Sequence, residues 1–153
     1  MNQDKVKLNL GCGNDIRLGY ENIDLFPVNK DVKFGNFKNL SYQDASVQEV
    51  LAIDIIKYIP INEISNFFEK IYKVLVLNGT LYIESLDYNL LANSLAYEFT
   101  NIMQANQILY PQEKNSVCAI YNLYNIEKLL TQLGFKVVSK FYSENNFCLT
   151  VIK

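Results

Sequence analysis

Short apolar runs of period two alternate along the chain with segments of helical period. Val6–Leu10 (VKLNL) alternates and stops at Gly11, the pattern of a strand running into a turn. Residues 22–25 form a second short run, stopped by Pro27, and residues 32–37 a weaker third. Residues 47–56 (VQEVLAIDII) are nearly continuous in apolar character, as expected of a strand buried on both faces. The period then changes. Ile64, Phe67, Phe68, Ile71, Val74 and Leu75 fall on one face of a helix over residues 61–77, with Asn62 as its cap and Asn78-Gly79 as its end. Residues 80–85 read as the next strand, and residues 89–109 as one long helix ahead of Pro111. A short helix over residues 125–133 closes at Gly134. Two final strands, 136–142 and 147–152, are joined by a link of hairpin length and are therefore expected antiparallel.

Strand–helix alternation closed by a hairpin predicts an α/β sandwich with a mostly parallel sheet. No internal repeat, linker or low-complexity stretch divides the 153 residues, so a single domain over 1–153 is expected. One connection is tight: residues 11–21 alone separate the first two strands, which leaves room for one helical turn or none.

Composition narrows the functional classes. The 14 basic and 16 acidic residues give a net charge of -2, against a basic nucleic-acid footprint. The absence of histidine removes histidine metal sites and any histidine general base, and no metal site is expected. Cys12, Cys118 and Cys148 are widely spaced with no C-x-x-C, which fits reduced thiols and a cytoplasmic protein. No leader pattern opens the chain and no apolar run reaches membrane-span length, so no membrane association is expected.

The candidate chemistry lies at the first strand's exit. Gly11-Cys12-Gly13 places G-x-G after a strand, where glycines let backbone approach a ligand. A tight strand-exit turn would use the same residues. Asp24 stands at the end of the second strand, where a carboxylate can accept from both hydroxyls of a ribose, or else cap a turn. The third glycine of a dinucleotide fingerprint is missing and no Gly-Lys-Ser/Thr follows. A nucleoside ligand without phosphates therefore fits better than a dinucleotide or triphosphate.

These residues resemble the small S-adenosylmethionine-dependent methyltransferases of class I. The resemblance rests on KLNLGCGND and GYENIDLFP at residues 7–15 and 19–27. It continues through LSYQDASVQEVLAIDIIKYIP, FFEKIYKVLVLNGTLYIES and YNLYNIEKLLTQLGFKVV, so it spans nearly the whole chain. It implies a Rossmann-like three-layer sandwich with an antiparallel C-terminal hairpin strand, and S-adenosylmethionine as cofactor with S-adenosylhomocysteine as product. It also implies roles for named positions. Leu10, Gly11, Cys12 and Gly13 would pass under the amino-acid part of the cofactor, with Asn9 beneath the loop where the family often has Asp. Asp24 would hold the ribose and Leu25 would pack on the adenine. Asn36 would accept the adenine amino group, Phe37 would give a backbone contact, and Ile53 and Asp54 would line the methyl-transfer side. Asp54 and Tyr58 stand where the family carries two histidines, and Lys57 where it carries Glu.

The resulting expectation is methyl transfer to a small-molecule or glycan-type oxygen or nitrogen. Asp54 is the candidate base or acceptor-positioning group and Tyr58 a substrate contact; a turn-capping acid and a packed aromatic are the alternatives. Lys57 reads as a solvated charge. Tyr110, Tyr121 and Tyr124 would wall an acceptor pocket, and residues 87–122 would form a substrate-facing lid. Two other readings stay open: a degenerate member that binds cofactor or a partner without turnover, and another nucleoside-binding α/β enzyme. A homodimer is a further expectation from the many aromatic helix positions.

Overall fold

The computed structural model describes residues 6–36, 39–110 and 117–153. Phe37 and Pro111 lie outside the described residues. Seven strands form one sheet: β1 (Val6–Leu10), β2 (Glu21–Asp24), β3 (Val32–Phe34), β4 (Val47–Ile53), β5 (Leu75–Leu86), β6 (Lys136–Ser143) and β7 (Asn146–Ile152), in the order β3-β2-β1-β4-β5-β7-β6. The first five are parallel, and β7 runs antiparallel between β5 and β6. The helices are α1 (Ile64–Val74), α2 (Tyr88–Ala96), α3 (Ile102–Leu109) and α4 (Leu123–Gln132). This is the expected α/β arrangement with a mostly parallel sheet and an antiparallel terminal hairpin.

Alternation along the strands sorts the sheet into two unlike faces. Leu8, Leu10, Ile23, Val50, Ala52, Leu81, Ile83, Phe147, Leu149 and Val151 enter one continuous core with α1 and α4. Ile64, Phe67, Phe68, Ile71 and Val74 supply the stripe from α1, and Leu123, Ile126 and Leu130 that from α4. The opposite face carries Lys7, Asn9, Asn22, Glu49, Tyr82 and Glu84. Its second helical layer is confined, among the described residues, to α2 and α3, which pack around Leu86 at the rim. Polar bonds close much of the rest. Lys7 Nζ meets Glu49 at 3.0 Å, the Tyr20 hydroxyl donates to Glu49 at 2.8 Å, and the Tyr82 hydroxyl donates to Glu84 at 3.0 Å. Parallel sheets are usually apolar on both faces; here the second face is mixed, with Leu51 and Cys148 buried among these polar groups, so β4 is buried on both faces at residues 50–52.

Three local expectations are corrected. Asn62 does not cap α1: residues 60–63 form a turn in which the Glu63 amide donates to the Pro60 carbonyl, and Glu63 takes the cap position with no hydrogen bond from its side chain to the helix's first amides. Nor do Asn78 and Gly79 end that helix. The chain passes from Val74 directly into β5, and the amides of Ala45 and Ser46 donate to the Lys73 and Val74 carbonyls that the helix leaves open. Asn78, with φ of 62°, and Gly79 instead form an irregularity inside β5. A Cβ on Gly79 would sit 2.8 Å from the Val76 carbonyl oxygen, so glycine is required by close approach. The long helix over 89–109 is two helices. Glu98 takes φ of 58°, and Asn101 starts α3 with a capping box in which Asn101 and Gln104 satisfy each other's backbone amides.

The base of the 87–122 excursion is held by one carboxylate. Asp87 is fully buried. Its Oδ1 accepts from the Asn89 and Leu90 amides and its Oδ2 from the Leu123 amide, so it caps α2 and clamps the start of α4 to the end of β5. The Tyr88 amide donates to the Tyr121 carbonyl alongside. Replacing Asp87 with alanine strands three backbone donors and is expected to cost about 3 kcal/mol of unfolding free energy. Urea denaturation checks this; a loss of less than about 1 kcal/mol would contradict the clamp.

Candidate functional site

The β1–β2 connection contains no helix, so side chains must hold residues 11–20. Two buried asparagines do so. Asn9 and Asn22 are register partners in the middle of β1 and β2. The Asn9 Nδ2 donates to the Asp15 carbonyl at 2.7 Å and to the Asn22 Oδ1 at 3.0 Å. Asn22 accepts from the Arg17 amide at 2.9 Å and donates to the Arg17 and Tyr20 carbonyls. Asn9 thus lies beneath the loop, and its amide is spent on positioning it. Asn22 was not singled out from the sequence; its signal is an amide side chain inside a strand otherwise committed to the core.

Above this pair the loop turns through Gly11 and Gly13, both at positive φ (61° and 50°). At such angles a side chain costs roughly 1–2 kcal/mol. A Cβ built on Gly13 meets nothing within 4 Å, so the loop faces open space at the carboxyl end of a central strand. Leu10 is fully buried and anchors the loop's start in the core. The Cys12 amide donates to the Ile23 carbonyl at 3.1 Å, and the residue is 6% exposed. Burial, with the Asp24 charge nearby, pushes that thiol up to about 11.

Asp24 joins the loop to β2 and β3. Its Oδ2 accepts from the Gly13 amide at 2.9 Å and its Oδ1 from the Phe26 amide at 2.8 Å, while its carbonyl accepts from the Gly35 amide. Each oxygen of a carboxylate has further acceptor capacity. The turn-capping role and a ligand role are therefore compatible here. Beyond β3 a cavity of about 390 Å³ is lined by Glu21, Lys33, Phe34, Gly35, Asn36, Leu40 and Tyr42, among others. Burial pulls the Glu21 carboxyl upward, but the Lys33 ammonium and the Tyr42 hydroxyl, both at 2.7 Å, outweigh it and hold the carboxyl below its ordinary value. Leu25 is half-buried and packs on the main core.

At the end of β4, Ile53 is half-buried and Asp54 takes φ of 57°, with its amide donating to the Glu84 carbonyl at 2.7 Å. The Asp54 carboxylate is 53% exposed and pairs with Lys57 Nζ at 2.6 Å. Lys57 is not a solvated charge. Its side chain is 14% exposed, it lies 5.2 Å from the centre of the Tyr58 ring, and its carbonyl accepts from the Cys118 and Ala119 amides. Burial pulls the Lys57 ammonium downward, but the Asp54 carboxylate outweighs it and holds the group above its ordinary value. Tyr58 is half-buried against the core. The tyrosine set separates. Tyr121 is buried with its hydroxyl on the Ile59 carbonyl at 2.7 Å; burial, with Cys118 nearby, pushes that hydroxyl up to about 12, while Tyr110 and Tyr124 are exposed. No group of three or more metal-ligating side chains is found among the described residues, and no described helix is long and apolar enough to cross a membrane.

Two outcomes follow from this geometry. At pH 8 an alkylating reagent should label exposed Cys118 first and Cys12 on the order of 100-fold more slowly, because little of a thiol raised to about 11 is thiolate there; equal rates would contradict the buried loop thiol. Asn22→Ala should raise hydrogen exchange at the Arg17 amide at least about tenfold, and unchanged protection would show that the asparagine pair does not hold the loop.

No family model matches the chain, and no curated protein matches it in sequence. Solved structures do match. A SAM-dependent methyltransferase from Methanosarcina mazei superposes with a TM-score of 0.66 at 16% identity, over 100% of this chain and 94% of that one. An S-adenosylmethionine-dependent methyltransferase from Mesorhizobium loti gives 0.68 at 10% identity, over 97% and 91%. The 1,6-didemethyltoxoflavin-N1-methyltransferase of Burkholderia thailandensis, solved with 1,6-didemethyltoxoflavin and S-adenosylhomocysteine bound, gives 0.64 at 13% identity, over 97% and 71%. The sheet order, the glycine loop at the exit of β1 and these superpositions together show that the chain has the Rossmann-like fold of the S-adenosylmethionine-dependent methyltransferases.

Proposed function

We propose that the protein binds S-adenosylmethionine on the Gly11–Gly13 side of the sheet and transfers its methyl group to a small-molecule or glycan-type acceptor, at oxygen or nitrogen. The observation that carries this reading is the glycine loop at positive φ, open above Gly13 and tied by its own amide to Asp24. The donor set suits a nucleoside that ends in a charged amino acid rather than in phosphates: backbone amides and one carboxylate at a strand end.

In this reading Gly11 and Gly13 give backbone access to the amino-acid end. Asp24 accepts from the ribose hydroxyls through the lone pairs its two amide bonds leave, and Leu25 and Ile53 supply apolar walls. Asn36, on the cavity beyond β3, offers a carbonyl oxygen to the adenine amino group. Phe37 keeps its implied backbone contact as a proposal outside the described residues. The bound cofactor supplies an activated methyl on a sulfonium, so the chain's main task is to hold the acceptor in line. Asp54 sits where the acceptor would approach, oriented by Lys57. With Lys57 Nζ at 2.6 Å on one oxygen and the carboxylate 53% exposed, Asp54 acts in this account as the base or by orienting an acceptor hydroxyl or amine. Tyr58 contributes to the same wall, and residues 87–122 close over the acceptor side.

The occupied Asp54 carboxylate and the lack of any histidine also favour a second reading, a protein that binds the cofactor without turnover. Calorimetric titration separates the cases. S-adenosylmethionine and S-adenosylhomocysteine should both bind and NAD should not. Asp24→Ala should weaken binding at least about tenfold, the worth of one charge-assisted hydrogen bond. Failure of both sulfur nucleosides to bind would sink the proposal, and binding without methylation across an acceptor panel would favour the second reading. Where turnover is found, Asp54→Asn should lower kcat; unchanged kcat would remove Asp54 from the mechanism.

A further inference from the structure

A cavity of about 470 Å³ lies where the starts of α1, α2 and α4 meet, within the size range of small-molecule pockets. Its walls include Ile61, Ile64, Ile120, Ile126 and Leu129, with Tyr88 and Tyr121 as ring surfaces and Asn89, Asn122 and Asn125 as its amides. Neither the positions assigned above to the cofactor nor Asp54 and Tyr58 line it, while Tyr88, Asn89, Ile120, Tyr121 and Asn122 belong to the 87–122 segment proposed to close over the acceptor side. No lining residue carries a charge.

We infer that this cavity binds an uncharged, ring-bearing small molecule with a hydrogen-bonding edge. The apolar walls and two phenol rings fit a flat ring, whose burial is favoured by its apolar area. The polar requirement is met by amides and the Tyr88 hydroxyl, which donate and accept without demanding a charge. A charged ligand would lose hydration with no counter-charge on the wall, a cost such a wall does not return. The helix starts do not reverse this for an anion. The first amides of α2 and α4 are already taken by Asp87 and Asn122, and the Asp87 carboxylate lies buried behind Tyr88 and Asn89. The Tyr121 hydroxyl is spent on the Ile59 carbonyl, so Tyr121 offers its ring and not a donor. The inference does not depend on methyl transfer: the cavity's chemistry is the same whether or not the glycine loop carries a cofactor.

Three indoles of one shape and different charge test it on the full chain: indole-3-acetamide, indole-3-acetate and tryptamine, followed by amide shifts in heteronuclear NMR spectra. The acetamide should give saturable shifts at Tyr121, Asn122, Asn125 and Ile126, with the acetate and tryptamine at least about tenfold weaker. Ile61→Trp, at an exposed position on the wall, should obstruct the cavity and reduce acetamide binding at least about tenfold without loss of fold, read from an otherwise unchanged spectrum. Equal binding of all three indoles would overturn the assignment. So would shifts confined to residues 33–42 or to none, or acetamide binding that is indifferent to Ile61→Trp in a folded variant.

Discussion

The site depends on a helix that is not there. A parallel pair of strands is ordinarily joined by a crossover helix packed on the sheet, which fixes the connection by burying an apolar stripe. Between β1 and β2 the chain has only residues 11–20, and no helix forms. The order of this segment comes instead from buried hydrogen bonds: Asn9 and Asn22 across the two strands, and Asp24 back to the Gly13 amide. Such groups are costly when buried unpaired and specific when fully paired. The same bonds that stabilise the loop therefore set where its two glycines turn and leave the space above Gly13 open.

That substitution explains the sheet's asymmetry. With α1 and α4 on one face, β1 and much of β5 place apolar side chains on alternate positions, and the other positions carry Lys7, Asn9, Tyr82 and Glu84, whereas Val50, Leu51 and Ala52 keep β4 apolar on both faces. This alternation made β1 legible in the sequence, since a strand buried on both faces would read as a continuous run. The α1 stripe was legible for the same reason at period 3.6. What escaped the sequence was decided by tertiary partners. Asn78-Gly79 carries a turn signal wherever it lies, and Lys153, whose amide donates to the Gly79 carbonyl while its own carbonyl accepts from Asn78, helps to fix it inside β5. The break between α2 and α3 was written as Asn101 and Gln104, but helical periodicity across residues 89–109 masked it.

The candidate site divides along the same line. The cofactor half follows from local chemistry, because a glycine pair after a strand and an acid at the next strand's end are sequence-adjacent features. The acceptor half is made by distant contacts. Lys57 became a buried partner of Asp54 because residues 118–119 cross its carbonyl, and Tyr121 became a core residue because its hydroxyl finds Ile59. Neither partner is visible from spacing. The Asp87 clamp belongs to this class too: one buried carboxylate joins β5, α2 and α4, and so fixes the base of the 87–122 excursion.

A crystal structure with S-adenosylhomocysteine bound tests the central claim most directly. The account predicts the ribose hydroxyls on the Asp24 carboxylate, with its Gly13 bond retained, and the amino-acid end over Gly11 and Gly13. A nucleoside bound elsewhere on the chain, or an Asp24 carboxylate that contacts only the Gly13 and Phe26 amides in the complex, would contradict it.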